Sequence, residues 1–228
     1  MTSPVFVAID TPRVDVAQNL AVAVKSHAAG LKLGLEFFNA EGREGVKRLR
    51  ERGLPIFLDL KLHDIPNTVA RAVEAIADLR PRILTVHAAG GIEMMRAAKQ
   101  AAGDVTKVVG VTMLTSLDDE DLKRGGVGMK SRAYVDRLAD LSREAGLDGI
   151  VCSGLEVKAM RKAWPEGYLV VPGVRPEGAV TNADQKRVVT PQDAVRDGAS
   201  ALVIGRPITE ASDPQAAIKA IAGDLDAL

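Results

Sequence analysis

Residues 55–61 read Pro55-Ile56-Phe57-Leu58-Asp59-Leu60-Lys61, an apolar run in which ionisable side chains occupy alternate places near its end. In an extended chain the period of two puts Leu58 and Leu60 on one face and Phe57, Asp59 and Lys61 on the other. A strand of a parallel sheet is covered on both faces, so charges inside it need a partner or a task. With the leucines against helices, Asp59 and Lys61 point the other way, into the centre of a closed sheet. Leu31-Lys32-Leu33-Gly34 repeats the logic with Lys32 inward, and Asp10 closes the run Val5 to Ile9 in the same manner.

Working outward, apolar, β-rich runs recur at Val5 to Ile9, Leu31 to Gly34, Pro55 to Lys61, Ile83 to Ala88, Val108 to Leu114, Gly149 to Ser153, Tyr168 to Val174 and Ala201 to Gly205. Segments with helical spacing lie between them, among them Ala17-Leu20-Ala21-Val24, Val69-Val73-Ile76-Leu79, Tyr134-Leu138-Leu141-Ala145 and Ala217-Ile218-Ile221-Ala222. Thr190-Pro191 and Asp213-Pro214 each offer an N-cap followed by proline at the first helical position. Eight such units in 228 residues average about 28 residues, near the ~30 of a strand, crossover helix and loops. No linker-like stretch or composition shift divides the chain. The expectation is therefore an α/β fold, a (β/α)8 TIM barrel in which residues 1–228 form a single domain. A doubly wound sheet also accepts eight alternating units, but Asp10-Thr11-Pro12-Arg13 stands after the first strand in place of its dinucleotide fingerprint.

Composition narrows the function classes. Thirty Lys and Arg balance thirty Asp and Glu, so no broad basic field favours nucleic acid or a membrane surface, and neither is expected as a partner. A hydrophobic content of 46% with 26% charge suits a chain that buries a sizeable core. The single cysteine, Cys152, and three histidines offer neither an internal disulfide nor a thiolate-rich metal cluster, which fits a reducing cytoplasm. Val5 to Ile9 is too short, and lacks the basic flank, to serve as a signal core or membrane span.

A barrel gathers the C-terminal ends of its strands at one mouth, so Asp10, Lys32, Asp59 and Lys61 should converge there, with Asp64 just beyond. Taken alone, Asp59 and Lys61 could be an ion pair filling the barrel, and Asp64 an N-cap for a helix begun by Pro66. As a cluster, buried alternating charge marks a functional site. The eighth strand ends in Val203-Ile204-Gly205-Arg206-Pro207 and the seventh in Val171-Pro172-Gly173-Val174-Arg175-Pro176, which is where barrel enzymes recurrently bind phosphate. A polar stretch containing Gln185 then runs to about Thr190, long enough to suggest a closing lid. His87 could touch the pocket or be a hydrogen-bonded structural histidine. Cys152 reads as a small core residue, His63 has no zinc-ligand spacing, and Gly125-Gly126-Val127-Gly128, without a following Lys-Ser/Thr, reads as a connection before the fifth helix.

Asp59-Leu60-Lys61-Leu62-His63-Asp64-Ile65-Pro66-Asn67-Thr68 resembles the D-x-K-x-x-D-I-P-N-T signature of the orotidine 5′-phosphate decarboxylase family. Ala8-Ile9-Asp10, Leu31 to Gly34, Thr85-Val86-His87-Ala88, Leu114-Thr115-Ser116, Pro172 to Pro176 and Ile204 to Pro207 resemble its other motifs in order and spacing, most closely in the compact single-function bacterial enzymes. The resemblance implies conversion of orotidine monophosphate to uridine monophosphate, the last step of pyrimidine synthesis, with no metal and no organic cofactor. It implies Lys61 as proton donor to C6, and Lys32, Asp59 and Asp64 as the rest of a charged network. It implies a homodimer in which Asp64, with Ile65 and Thr68, reaches the neighbouring site. Asp10 and Lys32 would hold ribose hydroxyls, Thr115 would lie near the pyrimidine, and Arg175, Gln185, Gly205 and Arg206 would bind phosphate or close the lid. Two rivals are a related barrel using Mg2+ on a sugar phosphate, disfavoured because Lys32 replaces its metal-binding acid, and a nucleotide-sensing barrel, which would have no need of the charged network.

Overall fold

A computed structural model describes residues 3–176 and 189–228. Eight parallel strands, β1 (Val5–Ile9), β2 (Gly30–Leu33), β3 (Ile56–Leu62), β4 (Ile83–His87), β5 (Lys107–Val111), β6 (Gly149–Val151), β7 (Tyr168–Val171) and β8 (Ala201–Ile204), close in sequence order into a barrel. The ring of helices comprises α1 (Val14–Val24), α2 (Leu35–Arg50), α3 (Pro66–Ala75), α4 (Ile92–Ala102), α5 (Asp119–Arg124), α6 (Ser131–Glu144), α7 (Val157–Ala163), α8 (Pro191–Arg196), α9 (Arg206–Thr209) and α10 (Pro214–Asp226). The barrel expectation holds, and the doubly wound alternative falls with the closure of β8 onto β1. No helix among the described residues is long and apolar enough to cross a membrane.

Strand alternation divides the apolar residues into two cores. One face of each strand packs on the helices, with Leu31, Leu33, Leu58, Leu84 and Leu169 fully buried there. The other face fills the barrel, where Phe6, Phe57, Ile83, Val109, Val170 and Ala201 form a separate cluster. Phe6 and Phe57 meet edge to face, ring centroids 5.8 Å apart, a favoured aromatic geometry. Space for Phe6 depends on its β2 neighbour Gly30, since a Cβ there would lie 2.6 Å from the Phe6 ring and 2.4 Å from the Pro55 carbonyl oxygen. The aromatic pair packs within the barrel, and Phe57 lines the cavity together with Ala8, Lys32 and Asp59.

Most strand ends fall within a residue or two of the sequence expectation, and two departures have clear causes. β7 stops at Val171, because Pro172 has no N–H for the ladder and Gly173 turns the chain at φ 72°. Val174 then pairs alone with Val189. β5 stops at Val111, and the Thr112 backbone and hydroxyl both donate to the Val151 carbonyl as the chain leaves the sheet. The proline caps behave as read, with Thr190 accepting from the Asp193 N–H and Asp213 from the Ala216 N–H. The Gly125–Gly128 stretch joins α5 to α6; the short α5, with its Asp118/Asp121 capping box, was not anticipated. A corresponding correction applies to Asp64 as a cap: α3 begins after Ile65, which has no side-chain cap, and Asp64 merely accepts the Ile65 N–H at 2.7 Å.

At Gly149 an added Cβ would lie 2.0 Å from the Tyr168 carbonyl oxygen, where only backbone could yield. Gly149→Ala is expected to destabilise by about 2 kcal/mol through overpacking, seen as a melting temperature lower by roughly 4–8 °C; an unchanged melting curve would refute this packing account.

Candidate active site

The cavity at the C-terminal mouth of the barrel has a volume of about 660 Å3. Inward positions of successive strands line it: Ala8 and Asp10 from β1 and its end, Lys32 from β2, Asp59 and Lys61 from β3, and Gly205 after β8. Thr115, Arg175 and Arg206 complete the rim among the residues singled out from sequence. Apolar side chains, including Val111, Met113 and Val170, form much of the remaining wall. Cys152 is buried in the helix-facing core, as read, and also borders this wall.

The charged residues form an alternating chain. Lys32 Nζ donates to Asp10 Oδ1 at 3.0 Å and lies 3.9 Å from Asp59 Oδ2, while Lys61 Nζ donates to Asp59 Oδ1 at 2.8 Å. The Lys32 side chain is 10% exposed and that of Asp59 15%, against 33% for Lys61 and 59% for Asp10. Each inner charge thus has opposite charge on both sides, the arrangement that makes burial tolerable; removing one partner of such a pair typically costs about 3–5 kcal/mol. Lys61 stands at one end of the chain, its side chain lining the cavity, and Asp10, the more exposed, at the other.

Backbone geometry at Lys61 is unusual. β3 pairs with β4 as Leu58↔Leu84 and then Leu62↔Val86, so β3 spends two more residues than its partner over that interval. Lys61 absorbs the irregularity at φ 48°, in the left-handed region that is costly for a side-chain-bearing residue. Its N–H donates to the Thr85 hydroxyl at 2.9 Å, and that hydroxyl donates to Asp59 Oδ1 at 3.0 Å. Sequence reading missed Thr85, although its place between inward Ile83 and His87 on β4 was a usable signal. Nothing in the sequence announced the left-handed Lys61.

Three expected site residues do not join the cavity within this chain. Asp64, Ile65 and Thr68 lie on the exposed β3–α3 connection and first turn of α3, and the Ile65 side chain is left uncovered, the residue being 66% exposed. Asp64 forms no ion pair with a described residue. Gln185 and the lid reading fall outside the described residues. Gly205 sits where a Cβ would approach the Ala8 Cβ to 3.2 Å, so two small residues bring β8's end close to β1. Among the described residues, no group of three or more His, Cys, Asp or Glu could hold a metal ion.

His87 proves to be a hydrogen-bonded histidine beside the site. Its Nδ1 accepts the Ala89 N–H at 3.3 Å, and its ring stacks on His63, centroids 5.2 Å apart. Burial, reinforced by the like charges available to His63 and Lys61, holds its pKa below the ordinary 6.5.

A parallel eight-stranded barrel, with a charged cavity at the strands' C-terminal ends and arginines at the loops after β7 and β8, defines a barrel enzyme. Residues 3–221 match the family model described as "Orotidine 5′-phosphate decarboxylase / HUMPS family". The chain is 60% identical over 225 residues to the orotidine 5′-phosphate decarboxylase of Sphingopyxis alaskensis, covering 99% of this chain and 100% of that one. It is 59% identical over 226 residues to the enzyme of that name from Novosphingobium aromaticivorans, with 99% and 100% covered. A crystal structure of orotidine 5′-phosphate decarboxylase from Lactobacillus acidophilus superposes with a TM-score of 0.83 at 37% identity, covering 98% of this chain and 99% of that one. The chain belongs to the orotidine 5′-phosphate decarboxylase family.

Below about pH 6.5 the unfolded chain takes up a proton at His87 that the folded chain refuses until lower pH, so this residue's stabilising contribution is present above that pH and is lost as acid is added. His87→Asn, which keeps an acceptor for the Ala89 N–H, should flatten the pH dependence of urea-unfolding stability below pH 6.5; an identical slope in both proteins would contradict the assignment.

Proposed function

We propose that the cavity is where orotidine 5′-monophosphate loses CO2 to give uridine 5′-monophosphate, the last step of UMP biosynthesis, making the protein a carboxy-lyase. The alternating chain Asp10–Lys32–Asp59–Lys61 at the cavity carries this reading. As the bond from C6 to the carboxylate carbon breaks, its electron pair stays in an sp2 orbital on C6, which the ring π system cannot delocalise. A cation must face that carbon and then supply a proton. Lys61 does both, transferring an ammonium proton to C6, and the neutral amine recovers a proton from water. Asp59 fixes the ammonium at 2.8 Å, and Lys32 fixes Asp59, so developing charge meets dipoles already in place. Asp59 also faces the departing carboxylate with like charge, an effect relieved as CO2 leaves.

The remaining assignments follow the same substrate. Asp10 and Lys32 hold ribose hydroxyls, Thr115 lies by the pyrimidine, and Arg175, Gly205 and Arg206, with Gln185, take the phosphate. Phosphate binding remote from C6 supplies energy used at the reacting carbon, so losing Arg206 depresses turnover as well as affinity. No metal or organic cofactor is assigned a role. A Mg2+-dependent sugar-phosphate reaction is disfavoured because the inner carboxylate already faces two ammonium groups, and Lys32 would repel the ion.

The reading includes a cytoplasmic homodimer of one catalytic domain, residues 1–228, in which Asp64, Ile65 and Thr68 enter the partner's site. Their exposure in the single chain, outside the cavity, supports it.

Purified protein in excess EDTA should convert orotidine monophosphate to uridine monophosphate, followed by ultraviolet absorbance. No turnover with nucleotide bound would favour a sensing barrel, and activity on sugar phosphates only with Mg2+ restored would favour the metal-dependent relative. Lys61→Ala should abolish product formation while nucleotide binding persists; near-normal turnover would remove Lys61 from its role. Mixing inactive Lys61→Ala and Asp64→Asn dimers under exchange should restore about a quarter of the sites, because each mixed dimer rebuilds one of two. Unrecovered activity in verified mixed dimers would overturn the shared site.

A further inference from the structure

We infer that Thr85 is a positioning residue for the decarboxylation, setting both the backbone and the counter-charge of Lys61. Its side chain is fully buried and does not line the cavity, so it reaches substrate only through its neighbours. Both hydrogen-bonding capacities of the hydroxyl are committed. The oxygen accepts the Lys61 N–H at 2.9 Å, and the single proton goes to Asp59 Oδ1 at 3.0 Å. That carboxylate oxygen is the one that receives the Lys61 ammonium at 2.8 Å. One hydroxyl therefore links the root of the Lys61 side chain to the anion that holds its tip.

The need for such a link comes from the strand irregularity. Between Leu58↔Leu84 and Leu62↔Val86 the β3–β4 ladder loses register, and the Lys61 N–H is directed to the Thr85 side chain. Lys61 is simultaneously held at φ 48°. A residue persists in a sparsely populated conformation only where its surroundings over-determine it, and a buried N–H without a partner is costly. Thr85 meets both conditions with a single group. It also fixes polarity: with its proton committed to Asp59, the oxygen faces Lys61 only as an acceptor. Valine at this position would keep the branched shape while offering neither acceptor nor donor, leaving the Lys61 amide unsatisfied and Asp59 Oδ1 one bond poorer.

The inference rests on the decarboxylase reading, so wild-type turnover is the control: an inactive wild type defeats that reading, whereas an active one leaves Thr85 to be judged separately. Thr85→Val and Thr85→Ser are compared with wild type for kcat, KM, uridine monophosphate affinity and melting temperature. Thr85→Val is expected to lower kcat by about ten- to a hundredfold, the scale of a lost hydrogen bond to a charged group. KM and product affinity should stay within about threefold, because the cavity wall is untouched. Thr85→Ser, which restores the hydroxyl, should recover most of kcat. Should Thr85→Val fail to fold, Thr85→Cys, with only a weak donor and acceptor, replaces it with the same expected pattern. A kcat within about twofold of wild type in the valine or cysteine protein, a matching rise in KM and loss of product affinity, or no rescue by serine would each overturn the assignment.

Discussion

A lysine buried to nine-tenths of its side-chain surface must be compensated, and Lys32 makes that requirement at the centre of this barrel. An isolated ammonium in such a place would be costly to keep charged. Asp10 and Asp59 supply the compensation from the two neighbouring strands, so the register of β1, β2 and β3 is tied to the electrostatics as well as to the packing. Asp59 in turn needs more than Lys32 at 3.9 Å, and finds it in Lys61 and Thr85. The sequence of charges is thus self-consistent from Asp10 to Lys61. Each group is held by the one before it, and the last ammonium belongs to a side chain that lines the cavity.

The barrel contributes rigidity that such an arrangement needs. Fully buried leucines hold the strands against the helices, and the Phe6–Phe57 pair packs within the barrel. Phe57, Asp59 and Lys61 are consecutive inward residues of one strand, so a single element carries an aromatic of the barrel interior and two adjacent members of the charged chain. Displacement of β3 would move all three. That coupling explains why the irregular stretch between Leu58 and Leu62 is bonded so fully to Thr85 instead of being left as a loose bulge.

What the residues disclosed in advance, and what they did not, follows from the range of the forces involved. Alternation in Pro55 to Lys61 made the inward charges readable, because side-chain direction in a strand is a local property. The proline starts of α8 and α10 were readable for the same reason. The Phe6–Phe57 contact and the closeness of Ala8 to Gly205 are products of closure between distant strands, and no local pattern records them. Thr85 lay between the two kinds. Its inward direction was periodic and legible, but its work depends on two residues 24 and 26 positions earlier. Asp64, Ile65 and Thr68 were legible as a motif, while their position outside the cavity belongs to the folded chain.

The place of the cavity in the barrel also governs molecular traffic. With Phe6 and Phe57 packed in the barrel interior, the cavity lies, among the described residues, at the C-terminal mouth. Among the described residues, nucleotide, CO2 and product share that mouth as their route. Water reaches the cavity by the same mouth, so a ligand bound there also screens the charged chain from solvent.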